Sequence, residues 1–179
     1  LLERGTQKQK DLFIRPTMAG DYVWGQGYSE PGTGSDLASV RTKGELVGDK
    51  WIINGQKIWT SQGGKATHMF ALIRTEPEAG KHDGISYLLI DLDQPGITRS
   101  PIRQMTGESG FYEFFFDNAE TPADWIVGER GEGWNVSRTT LKHERASIGS
   151  AAGLGGQFDK LVELAKEVQR NGRPAIEDP

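Results

Sequence analysis

Cysteine is absent from this chain, which excludes disulfide cross-links and thiol nucleophiles and leaves a reducing compartment permitted. Histidine is scarce. His68, His82 and His143 have no metal-like spacing and no cysteine helpers, so no metal site is expected. No apolar run approaches the roughly 20 residues of a membrane-spanning helix. Lys and Arg number 21 against 25 Asp and Glu, a formal charge of −4, and no cationic stripe forms, so nucleic-acid binding has no support. The amino end, Leu1-Leu-Glu-Arg-Gly5, lacks the pattern of a signal peptide and is expected to be a cut inside a longer polypeptide.

Glycine, by contrast, is abundant: 24 in 179 residues, nearly twice the usual share of about 7%, which favours turns and the strands they join. Hydrophobic residues make up 35%, and with glycine counted the balance is that of a globular protein with one core and attachments. Residues 1 to about 16 suit a helix end, with a turn starting at Gly5-Thr6, passing through Leu12 and Phe13, and stopped by Pro16. Between Tyr22 and Asp117 the chain reads as strand after strand. Tyr22–Gly25 comes first. Arg41–Val47 and Trp51–Asn54 meet across Gly48-Asp49, a hairpin signal, and Asn54-Gly55 is read as a second one. His68–Thr75 and Gly84–Leu92 flank a polar loop, and Ile97–Arg103 and Phe111–Asp117 follow, with Phe114-Phe-Phe116 assigned to core or sheet face. Such spacing predicts a mainly antiparallel β sandwich or barrel-like domain. From Trp134 to about Gln169, apolar Leu141, Ile148, Ala151, Phe158, Leu161, Ala165 and Val168 recur at helical spacing. One long α-helix of roughly 36 residues, about 54 Å, is therefore expected. Gly153, Gly155 and Gly156 weaken it by about 1 kcal/mol each, and Asn171-Gly-Arg-Pro174 is expected to stop it. The fold class is thus an α+β fragment.

Two stretches carry the chemistry. Gln26-Gly-Tyr-Ser-Glu-Pro-Gly-Thr-Gly-Ser-Asp36 leaves a strand into a loop where Gly32 and Gly34 permit close approach of a ligand to backbone, and Ser35 or Asp36 is placed to cap a short turn through Leu37. In Asn54-Gly-Gln-Lys-Ile-Trp-Thr-Ser61, strand alternation sets Trp59 and Ser61 on one face, an indole beside a hydroxyl, suited to a flat heteroaromatic ligand with a hydrogen-bonding edge. Gly32-Thr-Gly34-Ser-Asp-Leu37 is not a dinucleotide fingerprint: its last position is Leu, and no βαβ unit follows. Ser35 lacks a nucleophile-elbow setting. Asp91 and Asp93 precede a Pro-Gly turn and read as loop carboxylates. On the helix, Glu144 lies three after Leu141 and four before Ile148, which places a carboxylate on the apolar stripe and partly desolvates it, as suits a general base. The structural reading of Glu144 is an ion pair with Lys142, Arg145 or another helix.

Taken together in this order, Ser29–Asp36 and Asn54–Ser61 resemble the paired flavin motifs of the acyl-CoA dehydrogenase family. Gly5–Lys10 resembles the end of that family's N-terminal helical domain. Gly84–Asp91 and Pro95–Ile97 resemble strands of its middle domain, and Glu129–Trp134 resembles the entry to its first C-terminal helix. The resemblance implies three parts: 1–20, the end of a helical domain; 21–128, a middle β domain; and 129–179, the first helix of an incomplete helical bundle. It implies FAD as cofactor, with Gln26, Tyr28 and Ser29 along the flavin partly through backbone, Trp59 over a ring face, and Thr60 and Ser61 at the polar edge. Ser35 falls where the family contacts pantetheine, and Lys142 and Arg145 where it contacts CoA. Glu144 matches the position at which a minority of members carry the base. The implied reaction oxidises an acyl-CoA to the 2,3-enoyl-CoA, with electron-transfer flavoprotein as acceptor, in a homo-oligomer of the bacterial cytoplasm or mitochondrial matrix. An acyl-CoA oxidase, a flavin monooxygenase, or a non-catalytic β-domain module are the alternatives.

Overall fold

Thr6 starts the first helix, α1 (Gln7–Ala19): its hydroxyl accepts from the Gln9 N–H while the Gln9 side chain accepts from the Thr6 N–H, a reciprocal capping box. The computed structural model describes residues 1–148 and 152–177, in two units, Leu1–Arg138 and Thr139–Pro179. The expectation that Pro16 ends the helix is corrected. Pro16 lies inside α1, where it forfeits only its own N–H bond, and the chain stops at left-handed Gly20 (φ 85°), whose N–H reaches the Pro16 and Thr17 carbonyls. Buried Gln9 ties α1 to the rest of the unit by donating to the carbonyls of Asp124 and Ile126, and Phe13 packs edge-on against Trp24 and Trp125.

Seven strands form one curled sheet: β1 (Trp24–Gly27), β2 (Lys43–Val47), β3 (Lys50–Ser61), β4 (His68–Arg74), β5 (Ile85–Asp91), β6 (Ile97–Ile102) and β7 (Phe111–Pro122). Their order is β1-β4-β2-β3-β7-β6, with β5 paired to β4. Pairing is mainly antiparallel, as expected; β1 and the single residue Lys43 of β2 run parallel to β4. The first strand begins two residues later than predicted, and the last runs past Asp117 to Pro122. Gly48 (φ 62°) makes the predicted β2–β3 turn. Inside the curl, Ile53, Met69, Ile73, Leu88, Ile90 and Phe114 are fully buried. Phe116 is buried too, while Phe115 between them is exposed, so the Phe run is core by alternation.

Asn54-Gly55 is not a hairpin. β3 runs straight through it, because β2 and β7 hydrogen-bond to it on either side and leave no room for reversal. There the β3–β7 register slips: Asp117 and Asn118 of β7 face Asn54 alone, and Asn118 takes φ 53°. The Asn54 side chain closes the bulge, accepting from the Asn118 N–H and donating to its side-chain oxygen. Gly55 is needed for closeness to the neighbouring chain, since a Cβ there would stand 2.7 Å from Thr42 Cα. A second bulge, at Ile58–Trp59 of β3, restores the register before Thr60 meets Tyr112.

The predicted long helix is described as α2 (Gly133–Ile148) and α3 (Ala152–Glu167); residues 149–151 lie outside the described residues, as do the side-chain environments of 147–157, including those of Ile148 and Ala151. Gly153, Gly155 and Gly156 are helical within α3, and Phe158, Leu161 and Leu164 are exposed. Asn171-Gly172 does not stop the helix, which ends at Glu167. It turns a small hairpin between β8 (Gln169–Arg170) and β9 (Arg173–Pro174), with φ of 53° and 80° at the two turn residues, the conformation two-residue hairpins favour. Among the described residues no helix is long and apolar enough to cross a membrane.

Candidate cofactor site

The two glycine-containing motifs are fastened to each other along the end of β3. The Thr60 hydroxyl donates to the Gln26 carbonyl at 3.1 Å, the Ile58 N–H donates to the Ser29 carbonyl at 2.9 Å, and the Lys57 ammonium reaches the Tyr28 carbonyl at 3.4 Å. Backbone carbonyls of Gln26, Tyr28 and Ser29 therefore face β3. The Tyr28 side chain turns inward, edge-on to Phe70 and Tyr87. Between two buried residues, Lys57 and Thr60, the second bulge pushes Trp59 outward: the residue is 55% exposed, with Phe111 edge-on beside its ring. Trp59 has φ 65°, a left-handed backbone unusual for a bulky residue and costing on the order of 1–3 kcal/mol. The anchors on either side hold it there. Ser61 is exposed as well, with Thr60 buried between the two.

The loop after β1 is closed on itself by two backbone bonds, Glu30 N–H to Thr33 carbonyl at 3.0 Å and Thr33 N–H to Glu30 carbonyl at 2.9 Å. Gly32 lies within this closed turn and Gly34 just beyond it, and a Cβ at either would meet nothing past its own chain neighbours within 4 Å. Their missing side chains leave space open to the outside and relieve no internal clash. Ser35 is exposed at the loop's end. The short turn Leu37–Ser39 follows as predicted, but neither predicted side-chain cap forms; the Ser39 hydroxyl instead bonds to the Asp36 carboxylate, which also pairs with Lys81. Arg74 fixes the turn from below, donating to the Ala38 and Val40 carbonyls.

Sequence reasoning missed the pair that locks these pieces together. Lys57, fully buried, donates to Glu30 Oε1 at 2.8 Å and to the Leu72 carbonyl at 2.6 Å. Glu30 in turn accepts from the N–H groups of Arg41 and Thr42. A usable signal existed in strand parity, for Trp51 and Ile53 point inward and the same alternation carries Lys57 inward. Burial alone would raise the Glu30 carboxyl, but the Lys57 charge and the hydrogen bonds from Lys57, Arg41 and Thr42 hold it below its ordinary value. Burial lowers Lys57 to about 8, against the pull of Glu30. Between about pH 8 and 10.5 the unfolded chain therefore binds more protons at Lys57 than the folded one, so this residue makes stability rise with pH across that window. Urea titrations of Lys57→Met against wild type are expected to show that rise missing in the variant; parallel curves would contradict it.

The acyl-CoA dehydrogenase middle-domain profile matches residues 25–119 and the C-terminal-domain profile of the same family matches residues 131–179. The chain belongs to the acyl-CoA dehydrogenase family. It is 46% identical over 180 residues to the acyl-CoA dehydrogenase IpdE1 of Mycobacterium tuberculosis, a match covering 99% of this chain and 47% of that one. Among solved structures it is similar to the Tcur3481-Tcur3483 steroid ACAD (TM-score 0.82, 37% identity, 91% of this chain and 41% of that one). It is also similar to the ChsE4-ChsE5 complex from Mycobacterium tuberculosis (TM-score 0.85, 34% identity, 99% of this chain and 46% of that one). The chain thus spans about half the length of these relatives.

Acyl-CoA dehydrogenases as a family use FAD, and the residues of the shelf fit a flat heteroaromatic group: an indole held outward, the exposed Ser61 hydroxyl near it in the chain, and glycines facing open space. In this acyl-CoA dehydrogenase chain, Glu144 lies on α2 half-buried, as does Leu141, whereas Lys142, His143 and Arg145 are exposed. That burial pattern follows the helical spacing. Among the described residues no group of three or more His, Asp or Glu is placed to hold a metal ion.

Proposed function

We propose that the protein carrying this chain uses FAD to oxidise an acyl-CoA thioester to the 2,3-enoyl-CoA. The single observation that carries this reading is the fastening of the Gln26–Ser29 backbone to the Ile58–Thr60 bulge, which presents Trp59 outward beside the open glycine loop. FAD, when bound, supplies the hydride-accepting centre at N5. Trp59 covers one ring face and Ser61 serves the polar edge, backed by buried Thr60 through its bond to the Gln26 carbonyl; backbone groups of Gln26, Tyr28 and Ser29 line the rest. Ser35 takes the pantetheine arm, and Lys142 and Arg145 the CoA portion. Glu144 removes the α-proton. The parts are divided at about residues 20 and 128, with the flavin and acyl-CoA surfaces on the middle β domain.

Electron-transfer flavoprotein is the proposed acceptor, and a homo-oligomer in the cytoplasm or mitochondrial matrix the proposed setting. Because a similar structure is named a steroid ACAD, a steroid-derived acyl-CoA is the first substrate to try beside straight-chain ones. Anaerobic addition of each acyl-CoA to the FAD-loaded protein is expected to bleach the flavin. Steady peroxide formation in air would favour an oxidase, and failure to bind FAD would favour a binding module. Trp59→Ala is expected to weaken FAD binding by roughly 5–150-fold, since stacking of a flat base on an aromatic ring is worth about 1–3 kcal/mol. Unchanged affinity and spectrum in a folded variant would remove Trp59 from the site.

A further inference from the structure

We infer that the buried Glu30–Lys57 pair is the positioning element of the flavin shelf, setting how Trp59 meets the cofactor through its hold on both motifs. The inference rests on the flavin reading above. Its basis is connectivity. Lys57 stands two residues before Trp59 and spends its donors on Glu30, the Tyr28 carbonyl and the Leu72 carbonyl, which belong to the glycine loop, the end of β1 and β4. Glu30 spends its acceptors on Lys57 and on the N–H groups of Arg41 and Thr42, the lead-in to β2. Four segments thus converge on one ion pair, of which Lys57 is 0% and Glu30 8% exposed.

Simple stability is a poor reason for such a pair. Taking two charges out of water costs about as much as their attraction returns, and apolar replacements of both are often neutral or better. What an apolar pair cannot do is fix direction: an ammonium with three donors and a carboxylate with two oxygens select one geometry among the segments they join. The residue that benefits is Trp59, whose left-handed backbone has no glycine-like freedom and keeps its conformation only while its neighbours are held. Thr60 holds one side through the Gln26 carbonyl; Lys57 holds the other. Neither Glu30 nor Lys57 is exposed enough to meet a ligand itself, so both act through Trp59 and the loop.

Glu30→Gln, Lys57→Met and the double variant would be made in the complete FAD-binding protein. Stability would be followed by thermal unfolding, FAD affinity by titration, and Trp59 placement by quenching of the bound flavin's fluorescence, which depends on indole contact. Each single variant is expected to bind FAD about tenfold or more weakly, and to bind it with reduced quenching. The double variant is expected to recover thermal stability and not quenching. Ile90→Ala, a core truncation away from the shelf, is expected to lower stability and leave quenching at the wild-type level. Wild-type quenching and affinity in the folded double variant would overturn the inference, as would equal loss of quenching in Ile90→Ala. If the single variants fail to fold, the double variant decides alone. Wild-type protein that binds no FAD would overturn the flavin reading itself, an outcome separate from bound but normally quenched flavin in the variants.

Discussion

Glu144→Gln is expected to slow flavin reduction by acyl-CoA by ~10²–10⁴-fold, the range typical when a positioned general base is lost. Glutamine keeps the shape and hydrogen-bonding reach of the carboxylate and cannot take the α-proton at neutral pH. Glu144 is half-buried on α2 between exposed neighbours, the setting expected of a carboxylate that faces a partly dry surface. In the proposed reaction Glu144 meets the acyl-CoA and the shelf around Trp59 holds the flavin, so FAD affinity is expected to stay near the wild-type value. Rapid anaerobic mixing of the FAD-loaded protein with acyl-CoA follows bleaching directly and separates this step from product release. A variant that loses thermal stability and reduces its flavin at the normal rate would assign Glu144 to a structural ion pair and leave the base to another carboxylate.

Phe114→Ala is expected to cost about 3–5 kcal/mol of stability, the usual range for truncating a fully buried aromatic side chain. The ring lies opposite Lys57 across the β3–β7 pair. It also packs under Gly63, where a Cβ would stand 2.8 Å from a ring carbon, and Arg99 covers it while donating to the Gly63 and Ala66 carbonyls. The loop from Ser61 to Ala66 therefore sits on this ring, immediately after the Trp59 bulge. Chemical denaturation should give the loss, and hydrogen exchange should show the residues after Ser61 opening first. A loss under ~1 kcal/mol would mean that the neighbours collapse into the vacated space far better than buried aromatic sites usually allow.

Strand periodicity was strongly legible. Trp51 and Ile53 inward and Phe114 and Phe116 inward are each plain alternation, and Gly48-Asp49 reverses the chain as its turn chemistry dictates. Local propensity failed where a second chain segment intervened. Asn54-Gly55 and Asn171-Gly172 are the same dipeptide. The second forms a hairpin because its flanking strands have only each other to pair with, whereas the first is held extended between β2 and β7 and spends its asparagine on a bulge. Pro16 misled for a local reason: the proline is tolerated in a final turn, and the true stop is the left-handed glycine four residues on.

By itself, then, the sequence determined most strands of the large sheet, the helical character of the segment after Gly131, the two motifs and the side chains they contain, because alternation, helical spacing and turn chemistry are properties of neighbouring residues. Tertiary structure alone decided that those motifs meet, that Trp59 is pushed outward on a bulge, and that Lys57 and Glu30 close a buried pair between them. These depend on register between strands distant in the chain, and register is set by which backbone groups find partners across the sheet, something no single stretch of residues encodes.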